Sequence, residues 1–249
     1  MSEKTVEVSR AGSVVLAIVT GVVTWLVFYG ACFWWGAQQP ALLASGLFFS
    51  LFLHELCHAL VLERAGIKTM MFFLVLGAGV APAPQYMGQY DLLSSSKRAE
   101  LYLAGVCGNL LIAFSALAFK WAGWMDAGWA DWLAGINASL AGFNLIPWGR
   151  LDGGQFSRLL FDSISEDRDH RFAFGMGVTI MIGTGVAVFF SSGTTPLLVP
   201  LVVAFQLPNR AAEDDPLGSL HPKAMTPAQQ RWWACVYVVL FLSAVMIGF

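Results

Sequence analysis

The sequence predicts an all-α polytopic membrane protein: a bundle of about six to seven transmembrane helices with a small membrane-associated β-hairpin or re-entrant loop. Three observations carry this prediction. Of the 249 residues, 57% are hydrophobic and only 12% charged, about half the charged share of an ordinary soluble domain. Apolar runs of roughly 20 residues, the length that crosses a bilayer, recur along the chain. Lys and Arg gather between alternate runs, as the cytoplasmic bias of basic residues requires.

The elements follow in order. Residues 11–35 form the first run, too long and too aromatic for the core of a cleaved signal. Trp34 and Trp35 sit at its end, where aromatic side chains favour the interface. The second run covers about 40–62, the third 101–121, the fourth 129–146 and the fifth 172–190. Residues 195–207 are apolar but short, either a sixth span or a re-entrant piece. Residues 232–249 close the chain. With the N-terminus in the cytoplasm and seven spans, thirteen basic residues fall inside, and Lys120 alone falls outside. That bias also favours a true crossing by 195–207, because otherwise Arg210, Lys223 and Arg231 would lie outside.

Two connections are distinctive. Residues 69–89 begin with the apolar stretch TMMFFLVL and continue through GAGVAPAP. Gly77, Gly79, Pro82 and Pro84 argue against a continuous helix there, so the segment reads as a membrane-dipping hairpin or loop. Residues 208–230 are polar and include Glu213, Asp214 and Asp215. Within them Thr226-Pro227 has the form of an N-cap followed by proline in the first helical turn. The expected organisation is a membrane-embedded domain over 1–207 with its core at about 40–160, a cytoplasmic loop over 208–230, and a C-terminal transmembrane helix over 231–249.

Composition excludes some functions. A net charge of −2 and 14 Lys plus Arg leave no basic stripe for nucleic acid. The four cysteines lie in apolar runs without a CxxC pair, so no disulfide framework is implied, and all four read as small buried hydrophobes.

The chemistry concentrates in His54-Glu55-Leu56-Cys57-His58, an HExxH pattern. On a helix, residues four apart share one face a turn apart, so both imidazoles can bind one ion. Glu55 beside them can take a proton from a metal-activated water. Cys57 falls one position off the shared face. Three ionisable groups within five residues of an apolar helix are costly, and a metal compensates them. A hydrolytic zinc site usually takes three protein ligands. His170 and His221 lie in polar loops and read as solvated surface. Asp152, in NLIPWGRLDGG, is the stronger candidate for a third ligand. Spans two and four both run inward, and His54 precedes Arg64 by ten residues, about 15 Å along a helix. The two segments can therefore meet at one depth, and Gly153 and Gly154 permit close packing. The plain reading of the same stretch is a polar helix end with an incidental Asp.

With HELCH in the second span and NLIPWGRLDGG after the fourth, the chain resembles the site-2 protease family of intramembrane zinc metalloproteases, in a minimal form without a PDZ domain. Gly105-Val106-Cys107-Gly108-Asn109 in the third span is also reminiscent of the family. The resemblance implies that His54, His58 and Asp152 hold one Zn2+ ion. It makes Glu55 the general base and then the proton donor to the leaving amine. Asn144 matches the family asparagine that contacts the substrate backbone. Many relatives carry proline where Arg150 stands here, which puts the local loop shape in question. The implied activity is cleavage of a membrane-anchored protein within or near its transmembrane segment. Substrates of the implied kinds are an anti-sigma factor, a transcription-factor precursor or a signal-peptide remnant, selected by the protein itself or by a regulatory membrane partner. The implied location is a prokaryotic cytoplasmic membrane, with the active site toward the cytoplasm. A membrane di-iron oxygenase would need clustered histidine boxes, and the chain has four histidines in all. The remaining alternative is a membrane metal-ion transporter or a non-catalytic zinc-binding membrane protein. A transporter spreads ionisable groups over several spans, whereas here they gather in one place.

Overall fold

The computed structural model describes residues 10–74, 77–147, 150–162 and 225–248. The expected fifth and sixth spans, His170, His221 and the acidic triplet lie outside the described residues, as do Trp148 and Gly149 of the NLIPWGRLDGG stretch.

Seven helices and one hairpin make up the described architecture. Helix α1 spans Arg10–Trp34, α2 Pro40–Arg64, strand β1 Thr69–Leu74 and strand β2 Gly77–Pro82. A 3-10 turn over Pro84–Tyr86 and the short α3, Met87–Asp91, lead to α4, Ser95–Trp121. Then come α5, Ala127–Asn144, α6, Asp152–Asp162, and α7, Pro227–Gly248. Four of these helices, α1, α2, α4 and α7, are long and apolar enough to cross a membrane. Helix α5, the expected fourth span, has 18 residues, about 27 Å at ~1.5 Å per residue. It is not among those four helices.

Local chemistry sets the boundaries. Pro40 opens α2 at its first turn, where its missing N–H costs nothing. The helix ends in a Schellman turn: Ile67 N–H donates to Leu62 O, and Gly66 takes a φ of 81°. Leu62 and Ile67 pack together in the core, the apolar contact that accompanies such a cap. Ser94 caps α4 by accepting from Lys97 N–H, so this helix begins six residues before the apolar run. Asp126 caps α5 by accepting from Gly128 and Trp129 N–H. Thr226 and Gln229 form a reciprocal capping box at the start of α7.

The segment that was expected to interrupt the helical pattern is an antiparallel two-stranded sheet, paired from Thr69 opposite Pro82 to Leu74 opposite Gly77. The sheet lies against α1 and α2. Phe73 N–H donates to Thr20 Oγ1 of α1 at 3.1 Å, and the Phe73 ring packs on Phe48 and Phe52 of α2.

Helix α4 is the hub, touching α2, α5, α6 and α7. Its seam with α5 is lined by small buried residues, Ala113 and Ala116 against Ala134. Small side chains let helix backbones approach closely where water supplies no driving force. Large apolar side chains of α1, Val15, Ile18, Val19 and Val22 among them, point outward instead, which suits a lipid-facing surface.

Candidate metal centre

One helical turn separates His54 from His58 on α2, and both side chains are buried. Their Nε2 atoms lie 3.1 Å apart. Asp152, the first residue of α6, brings its Oδ2 to 3.1 Å from His54 Nε2 and 3.3 Å from His58 Nε2. Among the described residues, these three form a group able to hold a metal ion.

The atoms behind the imidazoles decide what faces the centre. His54 Nδ1 lies 2.6 Å from Asn109 Oδ1, and His58 Nδ1 lies 2.7 Å from the Leu101 carbonyl oxygen. Both partners are acceptors, so each Nδ1 carries the donated hydrogen, and each ring, when neutral, turns a lone pair outward at Nε2. Two nitrogen lone pairs and a carboxylate oxygen then converge with no hydrogen between them. Asp152 Oδ2 accordingly has no hydrogen-bond partner although it is buried. Such a cluster is compensated by a cation. The edges of the triangle, 3.1–3.3 Å, match the roughly 3.3 Å between donors about 2.0–2.1 Å from a tetrahedral ion. Donor identity and spacing thus fit a divalent metal of the zinc type. The Nδ1 bonds are the orienting bonds that metal-ligating histidines usually make.

Two glycines make this convergence possible. A Cβ on Gly105 of α4 would stand 2.5 Å from both Nε2 atoms, inside van der Waals contact. A Cβ on Gly153 would collide with the Leu145 carbonyl. The missing side chain therefore lets the start of α6 fold back on the end of α5 and aim Asp152 at α2. Tyr237 of α7 donates its hydroxyl to the same Leu145 carbonyl and stacks on Phe156 of α6, with ring centroids 5.2 Å apart.

The remaining candidates are placed as follows. Glu55 is 6% exposed and lies within electrostatic reach of His54, His58 and Asp152. Asn144 ends α5 and donates its amide to Leu140 of the same helix at 3.1 Å. Cys57 packs toward Gly108 of α4, off the face the histidines share. Arg150 is exposed in the turn before Asp152. Reading the sequence alone missed the partners of the ring nitrogens. Asn109 and Gly105 stood in a stretch reminiscent of the family but without a role beside the histidines, and a backbone carbonyl such as Leu101 O leaves no mark in a sequence.

No protein-family model matches the chain. It is similar to "Putative zinc metalloprotease Rip3" of Mycobacterium tuberculosis, in strains Erdman and H37Rv. The identity is 31% over 176 residues, 66% of this chain and 43% of that relative. The chain therefore spans less than half the length of the relative it matches. In three dimensions it is similar to a site-2 protease from Methanocaldococcus jannaschii, with a TM-score of 0.51 and 22% identity over 76% of this chain and 86% of that one. The chain is thus similar in sequence to part of the mycobacterial protein and shares its fold with the archaeal site-2 protease.

Proposed function

We propose that the chain is an intramembrane zinc metalloendopeptidase that hydrolyses a peptide bond in or near the transmembrane segment of a membrane-anchored protein. The observation that carries this reading is the meeting of His54 Nε2, His58 Nε2 and Asp152 Oδ2 at 3.1–3.3 Å beside a buried glutamate. In this reading His54, His58 and Asp152 hold one Zn2+ ion. When bound, the ion polarises the scissile carbonyl and lowers the pKa of water toward neutrality. Glu55 accepts the proton of the attacking water and returns it to the leaving amine. Asn144 meets the substrate backbone, where an amide donor can stabilise the developing oxyanion.

A helical substrate hides its carbonyls in its own hydrogen bonds, so it unwinds before attack. Unwound backbone in lipid needs partners, and the hairpin can supply them by strand addition. The outward edge of β1 is already engaged where Phe73 N–H meets Thr20. The edge of β2 around Ala78 is the better platform. The basic-residue bias of the sequence supports a cytoplasmic N-terminus and a centre toward the cytoplasmic side. Membrane-anchored regulators and signal-peptide remnants are the substrate classes that fit such a site.

The test is a cleavage assay on the full chain with a model single-span substrate, paired with metal analysis. Glu55→Gln should lower cleavage by roughly 10²-fold or more, the scale of general-base catalysis, and retain the metal. Asp152→Ala should lose both. Full cleavage by Glu55→Gln would overturn the hydrolytic reading.

A further inference from the structure

A second polar chain begins where His54 leaves the metal-facing group and runs away from it across three helices. Asn109 of α4, Asn137 of α5 and Ser50 of α2 are each 0% exposed. Asn109 Oδ1 faces His54 Nδ1 at 2.6 Å. Asn109 Nδ2 donates to Asn137 Oδ1 at 2.9 Å and to the Ser50 carbonyl at 3.3 Å. Asn137 Nδ2 donates to the Leu133 carbonyl at 2.9 Å and to Ser50 Oγ at 3.0 Å. Ser50 Oγ in turn donates to the Gly46 carbonyl at 2.8 Å.

The direction of every bond in this chain is forced. A backbone carbonyl can only accept. The Leu133 carbonyl therefore requires the nitrogen end of the Asn137 amide and turns its oxygen toward Asn109. That oxygen, with the Ser50 carbonyl, requires the nitrogen end of the Asn109 amide. The oxygen end of Asn109 is left facing His54, which must then carry its hydrogen on Nδ1 and present the Nε2 lone pair. Without Asn137, only the longer 3.3 Å bond to the Ser50 carbonyl would hold the Asn109 nitrogen away from His54, and the amide could turn its nitrogen toward the ring. The ring would then accept at Nδ1, place its hydrogen at Nε2 and point a donor where a metal ligand is needed.

We propose that Asn137 is a positioning residue for the metal centre: by fixing the orientation of the Asn109 amide, it selects the tautomer in which His54 binds the ion. The proposal rests on the metal-holding reading of His54 and requires nothing of the proteolysis. Two alternative candidates carry less. The apolar groove of about 320 Å³ between α2, α4 and α7, lined by Cys57, Arg64, Glu100 and Trp233, has no feature that names an occupant. The contact of Tyr237 with Leu145 acts on a loop rather than on a ligand atom.

The experiment uses the full chain in detergent and reads zinc affinity by chelator competition, with 15N-histidine spectra of the metal-free protein reporting the His54 tautomer. Asn137→Leu should weaken zinc binding by roughly 10–100-fold, the usual effect of losing an orienting partner, and should introduce the Nε2–H form of His54. A carboxylate offers oxygen whichever way it turns, so adding Asn109→Asp to Asn137→Leu should restore most of the affinity. Loss of packing alone would not be rescued in this way. Should Asn137→Leu fail to fold, Asn137→Ala reads the same two quantities without adding volume. Zinc affinity within twofold of wild type together with an unchanged Nδ1–H signal would overturn the proposal. Absence of zinc binding by the wild type would instead overturn the metal reading on which it stands.

Discussion

Single atoms decide the centre. The absent Cβ of Gly105 matters as much as the donor groups, because an added methyl would stand 2.5 Å from the Nε2 atoms of both histidines. Gly105→Ala should improve the intrinsic helix preference of α4 by up to about 1 kcal/mol and still displace the imidazoles. The expected outcome is metal affinity lowered by roughly tenfold or more, a scale seen when ligand geometry is disturbed, measured as zinc retained after dialysis. Retention equal to wild type would show that the rings can shift without cost. At this scale the sequence was legible where chemistry has a spacing. His54 and His58 stand one turn apart because they are four residues apart, and Asp152 was marked by its glycine-flanked stretch. The Nδ1 partners were not legible. An asparagine in an apolar run has the same letter whether it packs helices or holds a ring, and Asn137 lies 83 positions from His54 with no periodic relation to it.

Among the elements, the hairpin departs most from the helical pattern, and its glycines and prolines announced it. Its partners were not announced: that β1 would lean on α1 depends on Thr20 meeting Phe73, a contact across 53 positions. If β2 receives the substrate, Ala78→Pro should remove an edge N–H and reduce cleavage by about tenfold or more. The step from an available to a missing backbone donor in lipid, several kcal/mol for an unsatisfied group, sets that scale. The same change at Thr69 of the opposite strand should have a smaller effect on turnover. Zinc content serves as the control, since the hairpin supplies no ligand. Helix ends were legible in part. The Thr226-Pro227 cap was visible, whereas α4 starts at Ser95, because a serine cap and a polar first turn extend a helix beyond its apolar stretch.

For the whole molecule, a bound ion would join α2, which carries both histidines, to α6, which carries Asp152. A ligand that binds the folded state alone adds about 2.7 kcal/mol of stability at a hundredfold excess over its dissociation constant. Removing zinc with a chelator should therefore lower the thermal unfolding midpoint as well as abolish cleavage, and added zinc should restore both. A midpoint insensitive to chelation would mean that the histidines and Asp152 are held in place without an ion. The class of the fold was legible from composition and from the recurrence of apolar runs. The role of α4 as hub was not, because every span carries the same greasy signature and only small-residue seams such as Ala113 and Ala116 against Ala134 distinguish neighbours.

The candidate ligands come from two segments separated in the chain: the histidines end at position 58, and the carboxylate follows at 152. Until the chain has been made through position 152, the early helix carries only two of the three donor groups. In the protease reading, cutting ability would therefore arrive only once α6 has docked and brought Asp152 to the histidines.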